Sequence, residues 1–201
     1  MIFTLIDYGA GNLASVERAL ERLGASSKRA ATPDDIERAD ALILPGVGHF
    51  SALMRGLDQR NLKSPLLSAL KRGVPFLGIC LGLQALYASS EEAPDVAGLS
   101  LFPNSVQALP RSAKLPHMGW NRVKQVRPSR ALSGVADDSH FYFAHSFAAS
   151  GGDGAVVATS CHGVPFAAVL ELDNVWAVQF HPEKSASSGE RVLRNFAEFA
   201  R

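Results

Sequence analysis

Apolar and polar positions follow two textures along the 201 residues. In the first half, short apolar runs alternate with stretches whose apolar residues recur three and four apart. Residues 1–7 read as a buried strand. Leu13, Val16, Leu20 and Leu23 then share one face of a helix that Asn12 caps and Gly24 ends. Residues 26–30 predict a second strand. Thr32-Pro33-Asp34-Asp35 opens a short helix with a capping residue, a proline at its first position and acids in its first turn. Residues 41–44 form a third strand, and the loop Pro45-Gly46-Val47-Gly48 follows. Helical patterns cover 50–60 and 65–72, and a strand leads to Cys80. Strands separated by helices imply right-handed crossovers, and so an α/β fold with a mainly parallel central sheet and helices on both faces.

From about Val106 the texture changes to short strands and turns. Residues 166–172 and 175–180 read as a hairpin joined by Asp173-Asn174, residue types that tolerate left-handed backbone. A closing helix over 189–199 puts Val192, Leu193, Phe196 and Ala200 on one face. Ser150-Gly151-Gly152-Asp153-Gly154 reads as a flexible turn rather than a linker. With no internal repeat, residues 1–201 are expected to fold as a single domain with a β-rich C-terminal half.

Charge narrows the function classes. The 20 basic and 19 acidic residues give a net charge of +1, with no lysine-rich arm, so neither nucleic acid nor an anionic membrane is an expected partner. No apolar run approaches the roughly 20 residues of a membrane helix, and the start of the chain lacks the basic flank of a signal peptide. The two cysteines are far apart in sequence, which suits a reducing compartment better than a disulfide framework. A cytoplasmic protein is expected.

Cys80 carries the chemistry. It ends an apolar strand within Phe76-Leu77-Gly78-Ile79-Cys80-Leu81-Gly82-Leu83-Gln84, and glycines two residues away on each side permit a sharp strand-to-helix turn that exposes the thiol beside a helix N-terminus. A cysteine in an apolar run is usually core; the bracketing glycines argue for a nucleophile elbow instead. Cys161 lacks them and reads as structural. Near the other end, Gln179-Phe180-His181-Pro182-Glu183 supplies a histidine and a carboxylate, completing a candidate Cys80-His181-Glu183 triad. The N–H groups of Val47 or Gly48, with that of Leu81, are candidate oxyanion donors. His49, His117, His140, His145 and His162 show no zinc-type spacing, so a metal is not expected. Gly9-Ala10-Gly11-Asn12-Leu13-Ala14 matches a dinucleotide-binding loop, but no acid ends the second strand; the glycines then mean a tight turn.

Taken together, Pro45-Gly46-Val47-Gly48, the Cys80 elbow and Phe180-His181-Pro182-Glu183 resemble the class I glutamine amidotransferases. Asp7-Tyr8-Gly9-Ala10-Gly11-Asn12, Ser90-Glu91-Glu92-Ala93-Pro94, Pro116-His117-Met118-Gly119-Trp120-Asn121 and His181-Pro182-Glu183-Lys184-Ser185 are similar to the glutaminase subunits of imidazole glycerol phosphate synthases. The resemblance runs nearly end to end and implies a flavodoxin-like fold. It also implies hydrolysis of glutamine to glutamate and ammonia without a cofactor, and transfer of the ammonia to a barrel-shaped cyclase subunit, the heterodimer partner, in histidine biosynthesis. By the same resemblance Gln84, Glu92 and the segment His145-Ser146-Phe147 bind glutamine, with Phe147 lacking the hydroxyl of the tyrosine often found there. Asn12, His117, Met118, Trp120, Asn121 and Lys184 match docking positions. The partner dependence expected of the family implies that the donors near Val47 and Gly48 are aimed only in the complex. The alternatives are a non-catalytic binding subunit of the same fold, the glutaminase of another complex such as the one feeding pyridoxal phosphate synthesis, or a stand-alone cysteine hydrolase. The segment from Pro116 to Asn121 weighs against the glutaminase of another complex and the stand-alone hydrolase.

Overall fold

The computed structural model describes residues 1–151 and 154–201, so the expected turn at Ser150-Gly151-Gly152-Asp153-Gly154 lies partly outside the described residues. The first half contains β1 (Ile2–Ile6), α1 (Leu13–Arg22), β2 (Ser26–Ala30), α2 (Pro33–Glu37), β3 (Leu42–Gly46), α3 (Phe50–Gln59), α4 (Lys63–Lys71), β4 (Phe76–Cys80) and the one-turn α5 (Leu81–Gln84). The second contains β5 (Tyr87–Ser90), β6 (Phe102–Ala108), β7 (His117–Gln125), β8 (Ser139–His145), β9 (Phe147–Ala148), β10 (Val156–His162), β11 (Val164–Leu172), β12 (Val175–Val178), a 3-10 turn over Pro182–Lys184 and α6 (Ala186–Phe199).

Among the described residues nine strands form one sheet in the order β2-β1-β3-β4-β12-β11-β10-β7-β8, and β5-β6-β9 form a smaller one. The neighbours from β2 to β12 are parallel, an order of the flavodoxin kind with β12 as the fifth strand. From β12 outward the pairing is antiparallel. Most of the β-rich second half therefore extends the same sheet, and only β5, β6 and β9 stand apart from it.

Side chains of the central strands alternate between two cores, as the two-residue period of a strand requires. Leu42 and Leu44 face the core that holds Leu53 and Leu57 of α3 and Leu66 of α4. Phe3, Leu5 and Ile43 face the core closed by Val16 and Leu20 of α1 and by Val192 and Phe196 of α6. Both faces are covered, which is why these strands read as continuous apolar runs.

Several expected boundaries shift. Strand β3 continues through Pro45 and Gly46, because Gly46 pairs with Cys80 in the parallel ladder, and the loop shrinks to Val47-Gly48-His49. Asn12 occupies the cap position of α1 without a side-chain cap bond, whereas Thr32 completes a capping box with Asp35. The closing helix starts at Ala186, not at 189. Gly189 lies inside it because a Cβ there would strike the Pro182 carbonyl oxygen; the glycine marks close packing rather than a helix start. The helix after Cys80 has a single turn, too short for a sizeable dipole to act on the sulfur.

Candidate active site

The elbow forms as its glycines suggest. Cys80 holds φ 55° and ψ −106°, a sparsely populated region that costs about 1–3 kcal/mol and persists only where the surroundings enforce it. The enforcement is steric. A Cβ on Gly78 would sit 2.8 Å from the Gly82 carbonyl oxygen, and one on Gly82 would collide with the carbonyl of Leu44. Only small residues let the chain double back here, which leaves the Cys80 side chain facing a cleft.

The expected base arrives from the adjacent strand. Val178 of β12 pairs with Ile79 of β4, so the segment leaving β12 passes beside the sulfur. Phe180 points inward and stacks on Phe141 at 4.0 Å between centroids, while the His181 N–H donates to the Tyr142 carbonyl at 2.8 Å. His181 Nδ1 lies 2.9 Å from Glu183 Oε1, with both side chains buried, and the Cys80 sulfur acts on the same ring. Burial opposes the charge on His181, but the neighbouring Cys80 sulfur and Glu183 carboxylate outweigh it and push its pKa up to about 10. The arrangement favours an imidazolium held between a sulfur and a carboxylate.

A cleft of about 170 Å³ opens over the sulfur and is lined by Cys80, His181 and the expected oxyanion residues Val47, Gly48 and Leu81. Gln84, Glu92, His145, Ser146 and Phe147, the expected glutamine-binding residues, complete its wall together with Lys184. Larger hollows of about 500 Å³ beside Trp176 and about 590 Å³ beside Lys63 contain no triad residue.

Within that wall the roles are more divided than the sequence implies. The Val47 N–H points at the Tyr8 hydroxyl, 3.4 Å away, so in this conformation it is engaged and not aimed at a developing oxyanion. Leu81 N–H, first in α5, has no intrahelical acceptor and sits directly after the nucleophile. The Gln84 side-chain nitrogen donates to the Phe147 carbonyl at 2.7 Å and to Gln179 Oε1 at 3.1 Å, so its N–H groups shape the wall rather than reach into the cleft. Glu92 accepts the Phe50 N–H at 2.7 Å, tying the cleft to the start of α3. The two residues that sequence reading missed are Tyr8 and Gln179; the latter had a signal, since it stands two before His181 on an extended segment and so shares its side.

The docking positions separate into two groups. Met118 and Trp120 are 65% and 53% exposed. Trp120 meets the ring of Tyr142 edge-on, and Lys184 Nζ lies 5.7 Å over that same ring, so the four side chains make one patch at the cleft rim. His117 does not belong to it: it is 4% exposed and bonded to His145 at 2.9 Å. Asn121 also turns inward, to His117 and to the Cys161 carbonyl. Asn12 is half-buried at the start of α1. Cys161 exposes its side chain on β10 and serves through its backbone, which pairs with Pro165 and accepts from Asn121.

Comparison with known proteins adds four findings. The family described as "Glutamine amidotransferase class-I" matches residues 4–199. The Methanothermobacter thermautotrophicus protein "Imidazole glycerol phosphate synthase subunit HisH" is 47% identical over 200 residues, covering 100% of each chain. The Moorella thermoacetica protein of the same description is 46% identical over 198 residues, covering 98% of this chain and 94% of its own. In fold, a crystal structure of a glutamine amidotransferase superposes with a TM-score of 0.79 at 19% identity, covering 100% of this chain and 99% of the other.

Proposed function

The chain belongs to the class-I glutamine amidotransferase family, and from that premise we propose that Cys80, His181 and Glu183 hydrolyse glutamine inside an imidazole glycerol phosphate synthase. The chain is the glutaminase subunit of that complex, and its ammonia passes to a barrel-shaped cyclase subunit in histidine biosynthesis. The observation that carries the chemistry is His181 bonded to Glu183 at 2.9 Å while sharing the wall of one cleft with Cys80.

The Cys80 thiolate attacks the side-chain amide carbon of glutamine, and the negative charge moves to the amide oxygen. Leu81 N–H, with Gly48 or Val47, receives it, each such donor being worth about 3–4 kcal/mol of barrier. The imidazolium of His181 gives its proton to the departing nitrogen, which leaves as ammonia, and a thioester remains on Cys80. His181, now neutral, takes a proton from water. The resulting hydroxide attacks the thioester, and release of glutamate restores the thiolate and imidazolium. Glu183 keeps the proton of Nδ1 in place through both half-reactions. Gln84, Glu92 and the segment His145-Ser146-Phe147 shape the glutamine cleft, and Met118, Trp120 and Lys184 meet the cyclase. The near balance of charge supports a cytoplasmic enzyme with neither a nucleic-acid nor a membrane partner, and no described helix is long and apolar enough to cross a membrane.

An intact triad geometry weighs against a non-catalytic subunit, and relatives at 47% and 46% identity weigh against the glutaminase of another complex. The test is glutamate and ammonia production from glutamine by wild type and Cys80→Ala, each mixed with the cyclase subunit. Production that depends on Cys80 is expected; equal rates would overturn the assignment.

A further inference from the structure

We propose that Gln179 is a further catalytic residue, donating a side-chain N–H to the Cys80 sulfur and locked in that orientation by Gln84. The inference rests on Cys80 being the nucleophile and concerns how its sulfur is held.

The geometry is a relay of hydrogen bonds that begins on the backbone. The Phe147 carbonyl accepts from Gln84 Nε2 at 2.7 Å and pairs with His145 Nδ1 at 2.9 Å. Gln84 Nε2 also donates to Gln179 Oε1 at 3.1 Å, and Gln179 Nε2 stands 3.5 Å from Cys80 Sγ. Both glutamines are buried, so each amide must find its partners inside the protein.

A backbone carbonyl cannot exchange roles as an amide side chain can, and this fixes the polarity of the relay. Turning Gln179 over would set its nitrogen against the Gln84 nitrogen, donor facing donor, and its oxygen against the sulfur. Turning Gln84 as well would set its oxygen against the Phe147 carbonyl. Only one arrangement sets a donor against an acceptor at each contact of the relay, and in it an N–H faces Sγ. The backbone N–H of Gln179 is itself anchored on the Ala168 carbonyl at 2.9 Å, so the amide is held from both ends.

An N–H donor favours a thiolate over a thiol, because a bond to an ionised acceptor is the stronger one. The thiol has a competing partner of its own, the Ala144 carbonyl at 3.9 Å. The ionisable groups around the sulfur are His181, Tyr8 from the β1 end, and Glu92, His145 and Lys184 on the cleft wall. Gln179 adds a donor that does not titrate. It therefore favours the thiolate before attack on the amide and again when the thioester collapses, without changing its own charge.

The test uses the full chain with three variants: Gln179→Leu removes the donor, Gln179→Glu reverses its polarity, and Gln84→Met releases the lock while keeping Gln179. Iodoacetamide modification of Cys80 is followed by mass spectrometry across pH, with Cys161 resolved as a separate site, and thermal melting reports folding. Gln179→Leu is expected to slow modification at neutral pH roughly tenfold and to displace its profile to higher pH, Gln179→Glu more so, and Gln84→Met in the same direction by less. A role in packing alone would lower the melting temperature and leave the profile in place. Wild-type profiles in folded Gln179→Leu overturn the proposal; if that variant does not fold, a wild-type profile in Gln84→Met overturns it. Glutamine hydrolysis that is unaffected by Cys80→Ala would defeat the glutaminase assignment instead, by a separate readout.

Discussion

His117 Nδ1 lies 2.9 Å from His145 Nε2, and the two rings form a one-way chain of donors. His145 Nδ1 faces a carbonyl, that of Phe147, and must carry a proton, which leaves its Nε2 as acceptor for His117. His117 Nε2 in turn accepts from the Asn121 amide, 3.1 Å away. Both rings are neutral in this scheme, and burial supports it by lowering His145 to about 3 and His117 to about 4. One end of the chain lines the cleft over Cys80 and the other lies on the strand that carries Met118 and Trp120.

Stability should therefore fall in mild acid. Below the ordinary histidine value of 6.5 the unfolded chain takes up protons that the folded rings refuse until about pH 3–4. The buried His145 contributes a loss of about 1.4 kcal/mol per pH unit over that window, with a smaller share from His117. Urea midpoints measured between pH 7 and 4.5 should decline, and His145→Asn should flatten the slope. A slope unchanged in that variant would refute the neutral pair. His181 acts in the opposite sense: its raised value gives stability that is present below 6.5 and lost as pH rises through about 10.

Tyr8 should restrain the oxyanion loop. Burial pushes its pKa up to about 12, so at working pH its hydroxyl is a neutral acceptor for the Val47 N–H. Tyr8→Phe removes a bond worth about 0.5–1.5 kcal/mol and should raise glutamine turnover by the chain without its partner roughly two- to tenfold. An unchanged or lower rate in a variant that melts like wild type would show that Tyr8 does not hold the loop back.

Loss of the orienting carboxylate should be milder than loss of the base. His181→Asn is expected to reduce turnover about 10²–10⁴-fold, whereas Glu183→Gln keeps a hydrogen-bonding group on Nδ1 and should retain more activity. Steady-state rates at saturating glutamine separate the two. Equal losses would mean that Glu183 does more than orient the ring.

Docking should depend on the exposed patch. Trp120→Ala removes a large exposed aromatic and should weaken cyclase binding by about 2 kcal/mol, roughly thirtyfold in Kd. Lys184→Ala should have a smaller effect that fades with salt. Calorimetric titration against the cyclase subunit measures both, and undiminished affinity in Trp120→Ala would place the interface elsewhere.

Local signals were the ones legible in the sequence. Strand β2 falls on the residues its pattern indicates, Thr32 caps where capping chemistry points, and the glycines around Cys80 mark a real steric constraint. What escaped was set by distant partners. Gly46 joins β3 because Cys80 pairs with it across the sheet. His117 lies in a run that looks like a docking motif, but His145 on the neighbouring strand draws it inside. Gln179 acquires its role only once β12 is seated beside β4.

That seating also governs when the proposed nucleophile meets its proposed base during synthesis. The edge of β4 waits for Val175–Val178, about a hundred residues later in the chain, an interval of roughly 5–20 s on a ribosome. Until then Cys80 has no general base beside it, and the nascent polypeptide carries a dormant thiol. The sulfur is thus without its imidazole until residues 175–183 have been made.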